Sequence, residues 1–154
     1  MYKRILVPLD GSKMAEEVIP HAITLATECT VESAEVVLLM VFEVPHISPY
    51  HPGVSMPLNW EKQIKQITDD AKKTARSYLN DVKKRFKNTG IKVRVEVMEG
   101  EPADKIIEYN NKNSFDVIVM VTHGRSWAKR WAFGSVADKV LHGVTNPILL
   151  VRAH

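Results

Sequence analysis

Two separated glycines, an Arg-Ser pair, a Lys-Arg pair and two tryptophans are packed into MVTHGRSWAKRWAFGSV, residues 120–136. Glycine lets a backbone turn tightly and approach a ligand closely, which Gly124 and Gly134 would permit. Gly134-Ser135 stands directly before a helix-like run, where free backbone N–H groups and the positive end of the helix dipole attract anions. Arg125, Lys129 and Arg130 add positive charge nearby. That chemistry suits a phosphate group. The spacing also permits a plainer role, because Ser135 followed three residues later by Asp138 resembles a capping box with Asp in the usual Glu place. On spacing alone both roles stand. His123, beside Gly124, can serve a ligand site or the local structure. Trp127 and Trp131 lie four apart and face one way on a helical turn, which suits packing, including a subunit contact, better than a platform for a base.

Other candidates are fewer. Asp10 follows the first apolar run and can accept hydrogen bonds from a sugar or base, or cap the first helix. His46 and His51 lie five apart without Cys or carboxylate neighbours, a poor spacing for a metal, so no metal ligands are assigned. Cys29 is the only cysteine; it forms no internal disulfide and fits a small packed residue in a reducing compartment. The nucleophile elbow, the Gly-x-x-x-x-Gly-Lys-Ser/Thr loop and the Gly-x-Gly-x-x-Gly fingerprint are all missing. No pair of carboxylates is marked out by spacing as general acid and base. No catalytic residue is therefore assigned.

The elements that must hold these residues are legible from periodicity. Ile5 to Leu9 and Val36 to Phe42 are short β-rich runs of the kind buried on both faces of a sheet. Asp10-Gly11-Ser12 turns the chain into a helix running to about Cys29, in which Pro20 predicts a kink. Residues 44–59 form a long loop carrying Pro45, Pro49, Pro52 and Pro57, half of the chain's prolines; such loops tend to be functional or mobile. Ile64, Ile67, Ala71, Tyr78, Val82 and Phe86 mark one long amphipathic helix ending near Asn88-Thr89-Gly90. Ile91, Val93, Val95 and Val97 alternate with charged residues, as in a half-exposed edge strand. Glu101-Pro102-Ala103-Asp104 opens a further helix with Pro102 in a favoured first-turn position. Val117 to Val121, a short helix from Val136 to His142, and Pro147 to Val151 complete the series. Strands alternating with helices predict a single α/β domain, residues 1–154, with a mainly parallel sheet. Ligands of such sheets bind beyond the carboxyl ends of the strands, where strand order reverses. That rule singles out the loops after the first, second and fourth strands.

Bulk properties exclude several classes. The length fits one domain that buries roughly two-thirds of its unfolded surface. A net charge of +3 with dispersed cations gives little support for nucleic-acid binding. The run Lys83-Lys84-Arg85-Phe86-Lys87 has a simpler explanation as cations near a helix end. No apolar run reaches membrane-spanning length and no signal pattern opens the chain, so a cytoplasmic protein is expected.

The opening YKRILVPLDGS, the stretch THGRS…FGSVADKVL and the ending NPILLV together resemble the universal stress protein family, end to end and in corresponding order. The resemblance implies an open five-stranded sheet in the order 3-2-1-4-5 with helices on both faces, like that of the adenine-nucleotide alpha hydrolases. It implies a homodimer through the last strand, and a stress-response sensor or regulator that binds ATP, AMP or ADP with at most slow hydrolysis. One branch of the family binds ATP through Gly-x-x-Gly, nine residues, then Gly-Ser/Thr; another lacks the motif and acts as a dimeric interaction protein. Here Gly124, the spacer 125–133 and Gly134-Ser135 match, while Val121 replaces the first glycine. By the same resemblance Pro8, Leu9 and Asp10 line the adenine and ribose end, and Val41 meets the adenine face. Gly124, Arg125, Gly134, Ser135 and Val136 surround the phosphates, with Val121 and His123 alongside and Mg or Mn bridging phosphate oxygens. A bulky Val121 either crowds the ligand or turns its side chain into the core and leaves the site open. The related ATP-cleaving synthetases carry Ser-Gly-Gly-x-Asp-Ser after the first strand, which Pro8-Leu9-Asp10-Gly11-Ser12 does not match.

Overall fold

The computed structural model describes residues 2–28, 34–44, 58–122 and 134–153. His123, Gly124, Arg125, both tryptophans of that stretch, Cys29 and most of the proline-rich loop lie outside the described residues. Among the described residues five strands alternate with four α-helices: β1 (Arg4–Leu9), α1 (Val18–Glu28), β2 (Glu35–Phe42), α2 (Trp60–Lys83), β3 (Lys92–Glu99), α3 (Pro102–Asn113), β4 (Val117–Thr122), α4 (Ser135–Gly143) and β5 (Ile148–Arg152). All strand pairs are parallel, as the alternation of strands and helices predicts, and the order is β3-β2-β1-β4-β5, the one implied by the family resemblance.

Side-chain alternation along the strands sorts the core into two layers. Ile5, Val7 and Leu9 of β1 and Val117 and Val119 of β4 pack against Val18, Ile19 and Ala22 of α1 and Leu79 and Val82 of α2. Leu6, Val37, Leu39, Ile118 and Met120 face the other way, against Ala103 and Ile106 of α3 and Ala137 and Val140 of α4. Each fully buried Val, Leu or Ile stabilises this arrangement by about 1.5–3 kcal/mol relative to exposure. The helices thus lie two to a face.

Local chemistry departs from the simplest reading in two places. The chain reaches α1 through a 3-10 turn at Ala15–Glu17, so Pro20 falls in the first turn of the α-helix rather than its interior. Its missing donor is there one that a helix leaves unpaired anyway, and no kink is needed. The long helix ends at Lys83 and tightens into a 3-10 turn, Lys84–Phe86, with Phe86 buried. Ile67 of its amino-terminal half is 52% exposed, and the buried positions are instead Ala75, Leu79 and Val82.

Where strand order reverses, β1 and β4 part. β1 is in register with β2 from Arg4 to Leu9, but with β4 only at Ile5↔Val117 and Leu6↔Ile118. The Arg4 carbonyl accepts from the Asp116 N–H on the β4 side, and the Lys3 carbonyl accepts from the Glu35 N–H on the β2 side. Peptide groups alternate sides along a strand, so Leu6 and Pro8 also turn toward β4. Pro8 has no N–H to offer there. The ladder stops just before it.

Candidate functional site

The parting of β1 and β4 opens a cleft of about 460 Å³ at the carboxyl ends of the strands, within the range of small-molecule sites. β1 supplies Pro8, Leu9 and Asp10; β2 supplies Leu39 and Val41; β4 supplies Met120 and Val121. The first turns of two helices complete it, with Pro102 and Ile106 from α3 and Ser135, Val136 and Ala137 from α4, preceded by Gly134. Eight residues proposed from sequence therefore border one cavity: Pro8, Leu9, Asp10, Val41, Val121, Gly134, Ser135 and Val136. The other three, His123, Gly124 and Arg125, lie outside the described residues. Sequence reasoning missed Ala15, Leu39, Pro102, Ile106, Met120 and Ala137. The available signal was strand parity, since Leu39 shares a face with Val41, together with the position of Pro102 at the start of a helix entering from the same end of the sheet.

Asp10 is the only charged side chain among the described residues lining the cleft. Its Oδ1 accepts the Ser12 N–H at 2.9 Å, and Ser12 Oγ in turn accepts the Ala15 N–H at 3.0 Å. The N-cap of the 3-10 turn is Met14; Ser12 holds its first N–H, while Asp10 shapes the loop and stays exposed at the cleft.

The capping-box reading of Ser135 is overturned. Gly134 is the N-cap of α4, at φ −54° and ψ 149°, with no side-chain hydrogen bond across the cap, and Ser135 is the first helical residue. A hydroxyl one position inside the helix is wrongly placed to satisfy the next N–H groups as a cap does. Ser135 is exposed, and the amino-terminal end of α4 opens into the cleft with it.

Val121 is a core residue and a border of the cleft at once. Its side chain packs against the cluster shared with α1 and α2, on the same face as Val117 and Val119. The Ile118 N–H donates to the Pro147 carbonyl, and the Thr122 carbonyl accepts from Ala153, so even-numbered peptides of β4 face β5. The Val121 peptide faces β1, past the last registered pair of that ladder. Val121 thus turns its peptide toward the parted strands and its side chain into the layer that also holds Leu9 and Ala15, two further residues of the cleft lining.

Among the charge clusters outside the cleft lining, two lie near its ends. Lys139 of α4 reaches Asp104 Oδ1 at 2.8 Å and Glu101 Oε2 at 3.2 Å. Glu101 Oε2 also accepts the Asp104 N–H at 2.8 Å, capping α3. The hydrogen bond from Lys139 holds the Asp104 carboxyl below its ordinary range. On the opposite face of the sheet, Glu16 pairs with Lys13 at 3.2 Å and Arg85 at 3.3 Å. The Tyr78 hydroxyl is enclosed there without a hydrogen-bond partner among the described residues. Burial, then the carboxylates of Glu16 and Asp10, push its pKa up to about 12. A second, shallower groove of about 690 Å³ runs from this region along β5, floored by Leu149 and Val151. Among the described residues no group of three metal-ligating side chains is assembled, and no helix is long and apolar enough to cross a membrane.

The chain is 36% identical over 152 residues to universal stress protein MJ0531 of Methanocaldococcus jannaschii, covering 99% of this chain and 83% of that one. Its fold matches the solved structure of MJ0577 from the same organism with a TM-score of 0.78 at 26% identity, over 100% of this chain and 98% of the other. A universal stress protein family structure from Arabidopsis thaliana with AMP bound matches the fold at a TM-score of 0.61 and 15% identity, over 99% and 92% of the two chains. The model of the universal stress protein family matches residues 1–152. With its strand order, its parted β1 and β4 and the glycine–serine entry to α4 all in place, the chain belongs to the universal stress protein family.

Proposed function

We propose that the cleft binds an adenine nucleotide, ATP or AMP, and that the protein is a stress-response sensor or regulator with at most slow ATP hydrolysis. One observation carries this reading: an apolar cleft at the strand-order reversal receives the amino-terminal end of α4, whose N-cap is a glycine with no side chain to cap it. Val41, Leu39 and Pro8 offer the apolar surface a base requires. Asp10 offers acceptors to ribose hydroxyls. Backbone N–H groups at Ser135 and Val136, with the Ser135 hydroxyl, suit phosphate oxygens. Gly124, Arg125 and His123 join them by the family motif. Mg or Mn, when bound, would neutralise phosphate charge and take its ligands from phosphate oxygens and water. The AMP-bound relative from Arabidopsis supports an adenine nucleotide as the ligand class. We place the protein in the cytoplasm as a homodimer through β5.

Titration calorimetry with ATP, with and without magnesium, tests the reading. Saturable binding is expected, and no measurable binding at millimolar ATP overturns it. Gly134→Leu is the companion variant. Gly134 sits in an extended conformation open to any residue, so the variant should fold normally and lose binding by more than about tenfold, as an obstructed phosphate site would. Unchanged affinity would mean that the phosphates lie elsewhere.

A further inference from the structure

The cleft described above is shaped by two helix starts that come from different parts of the chain. Pro102 and Ile106 belong to the first turns of α3, and Ser135 to Ala137 to the first turn of α4. One side chain joins these two ends. Lys139 lies four residues after Ser135, one helical turn along, and its ammonium reaches both carboxylates at the start of α3, Asp104 at 2.8 Å and Glu101 at 3.2 Å. Glu101 is already committed through the same Oε2 atom to the Asp104 N–H. The N-cap of α3 and the ion pair to α4 therefore share one atom. The two carboxylates stand one residue before and two residues after Pro102, a wall residue of the cleft, and all three charged side chains lie just outside the lining itself.

The arrangement has an electrostatic consequence. Two carboxylates at the amino-terminal end of a helix are favourable for that helix. Beside a site for an anion they are a repulsive pair, and the described cleft lining holds no cation to offset them. Lys139 is the cation that bonds both, while Lys105 adds a weaker positive field at Asp104. All three side chains are partly exposed, so the ion pair contributes little to stability by itself. Its effect on a multiply charged ligand is larger, because each ligand charge meets the same local field.

We propose that Lys139 is a positioning residue of the cleft, which holds the first turn of α4 against that of α3 and cancels the charge of Glu101 and Asp104 toward an anionic ligand. This inference rests on the nucleotide reading of the cleft. Its signature is a dependence on ligand charge. Loss of the lysine uncovers the charge of Glu101 and Asp104, offset only in part at Asp104 by Lys105, which opposes ATP most, AMP less and adenosine hardly at all. A purely structural loosening of α4 would weaken all three alike.

The experiment compares the full-length protein with Lys139→Met, Lys139→Arg and a triple variant adding Glu101→Gln and Asp104→Asn to Lys139→Met. Dissociation constants for ATP, AMP and adenosine are measured by calorimetry at low salt, with thermal melts to check folding. Lys139→Met is expected to weaken ATP about fivefold and AMP about twofold and to leave adenosine unchanged, with the ATP effect shrinking as salt screens the charges. Lys139→Arg and the triple variant are expected to recover ATP binding. ATP affinity unchanged in Lys139→Met, or equal weakening of all three ligands, overturns the inference while leaving the nucleotide reading intact. Failure of the parent protein to bind either ATP or adenosine overturns the nucleotide reading and this inference with it.

Discussion

Val121 and Tyr78 show how a single side chain is judged by the face it occupies. Val121 replaces the motif glycine, yet its branched carbons pack with the α1 and α2 layer while its peptide faces the opening. Val121→Gly should therefore leave ATP affinity within about twofold, because the cleft gains little room, while the half-filled layer destabilises the fold by about 2 kcal/mol. Urea unfolding and ATP titration on the same variant check both halves. A large gain in affinity would mean that the side chain crowds the ligand after all. Tyr78 illustrates the opposite case, a polar atom enclosed without a described partner. Tyr78→Phe removes a desolvated hydroxyl and should raise stability by about 1 kcal/mol near neutral pH. The pH dependence has a definite sign. A phenol raised from 10 to about 12 keeps its proton longer in the folded state than in the unfolded one. Its contribution is fully present below pH 10 and declines as pH rises from 10 through about 12. Urea unfolding across that window should show the decline in the parent protein and a smaller one in Tyr78→Phe.

Between elements, the α3–α4 contact sets where the start of α4 stands. Gly143, the last residue of α4, passes close to Ile107 of α3: an added Cβ would meet Ile107 Cδ1 within contact distance and lie 2.9 Å from its Cγ1. Asn110 and Asn146 lock the following turn, each donating to the other at 2.8 and 3.1 Å. Gly143→Ala should destabilise the protein by about 1–2 kcal/mol through overpacking. Trimming the neighbour in Gly143→Ala/Ile107→Val should return part of that loss, and denaturant midpoints of the four species decide it. Much at this scale was legible beforehand. Strands buried on both faces, the edge character of β3 and the Pro102 helix start follow from period and turn chemistry. What misled were positions where two local rules compete. Pro20 predicts a kink only if the α-helix begins before it, and a preceding 3-10 turn moved that start. Ser135 reads as a cap until Gly134, able to take the cap position without a side chain, shifts the helix by one residue. The cleft wall from α3 escaped notice because crossover geometry, not local sequence, brings Pro102 and Ile106 there.

At the scale of the molecule, β5 is an outer strand whose flank carries an open groove. Leu149 on it is 38% exposed, and an edge strand with apolar side chains pairs readily with another chain. If the homodimer forms through β5, Leu149→Lys should shift sedimentation equilibrium from dimer toward monomer while ATP affinity changes little. A dimer that persists unchanged would place the contact on another surface. The strand order itself was anticipated by family resemblance, since alternation of strands and helices leaves several right-handed orders open.

Pro8 has a kinetic meaning as well. Because the imino nitrogen cannot complete the next rung toward β4, the sheet has no zipped form in which the cleft is closed by strand pairing. The opening is a resident state and not a rare excursion. An entering ligand therefore pays no population tax for separating these two strands.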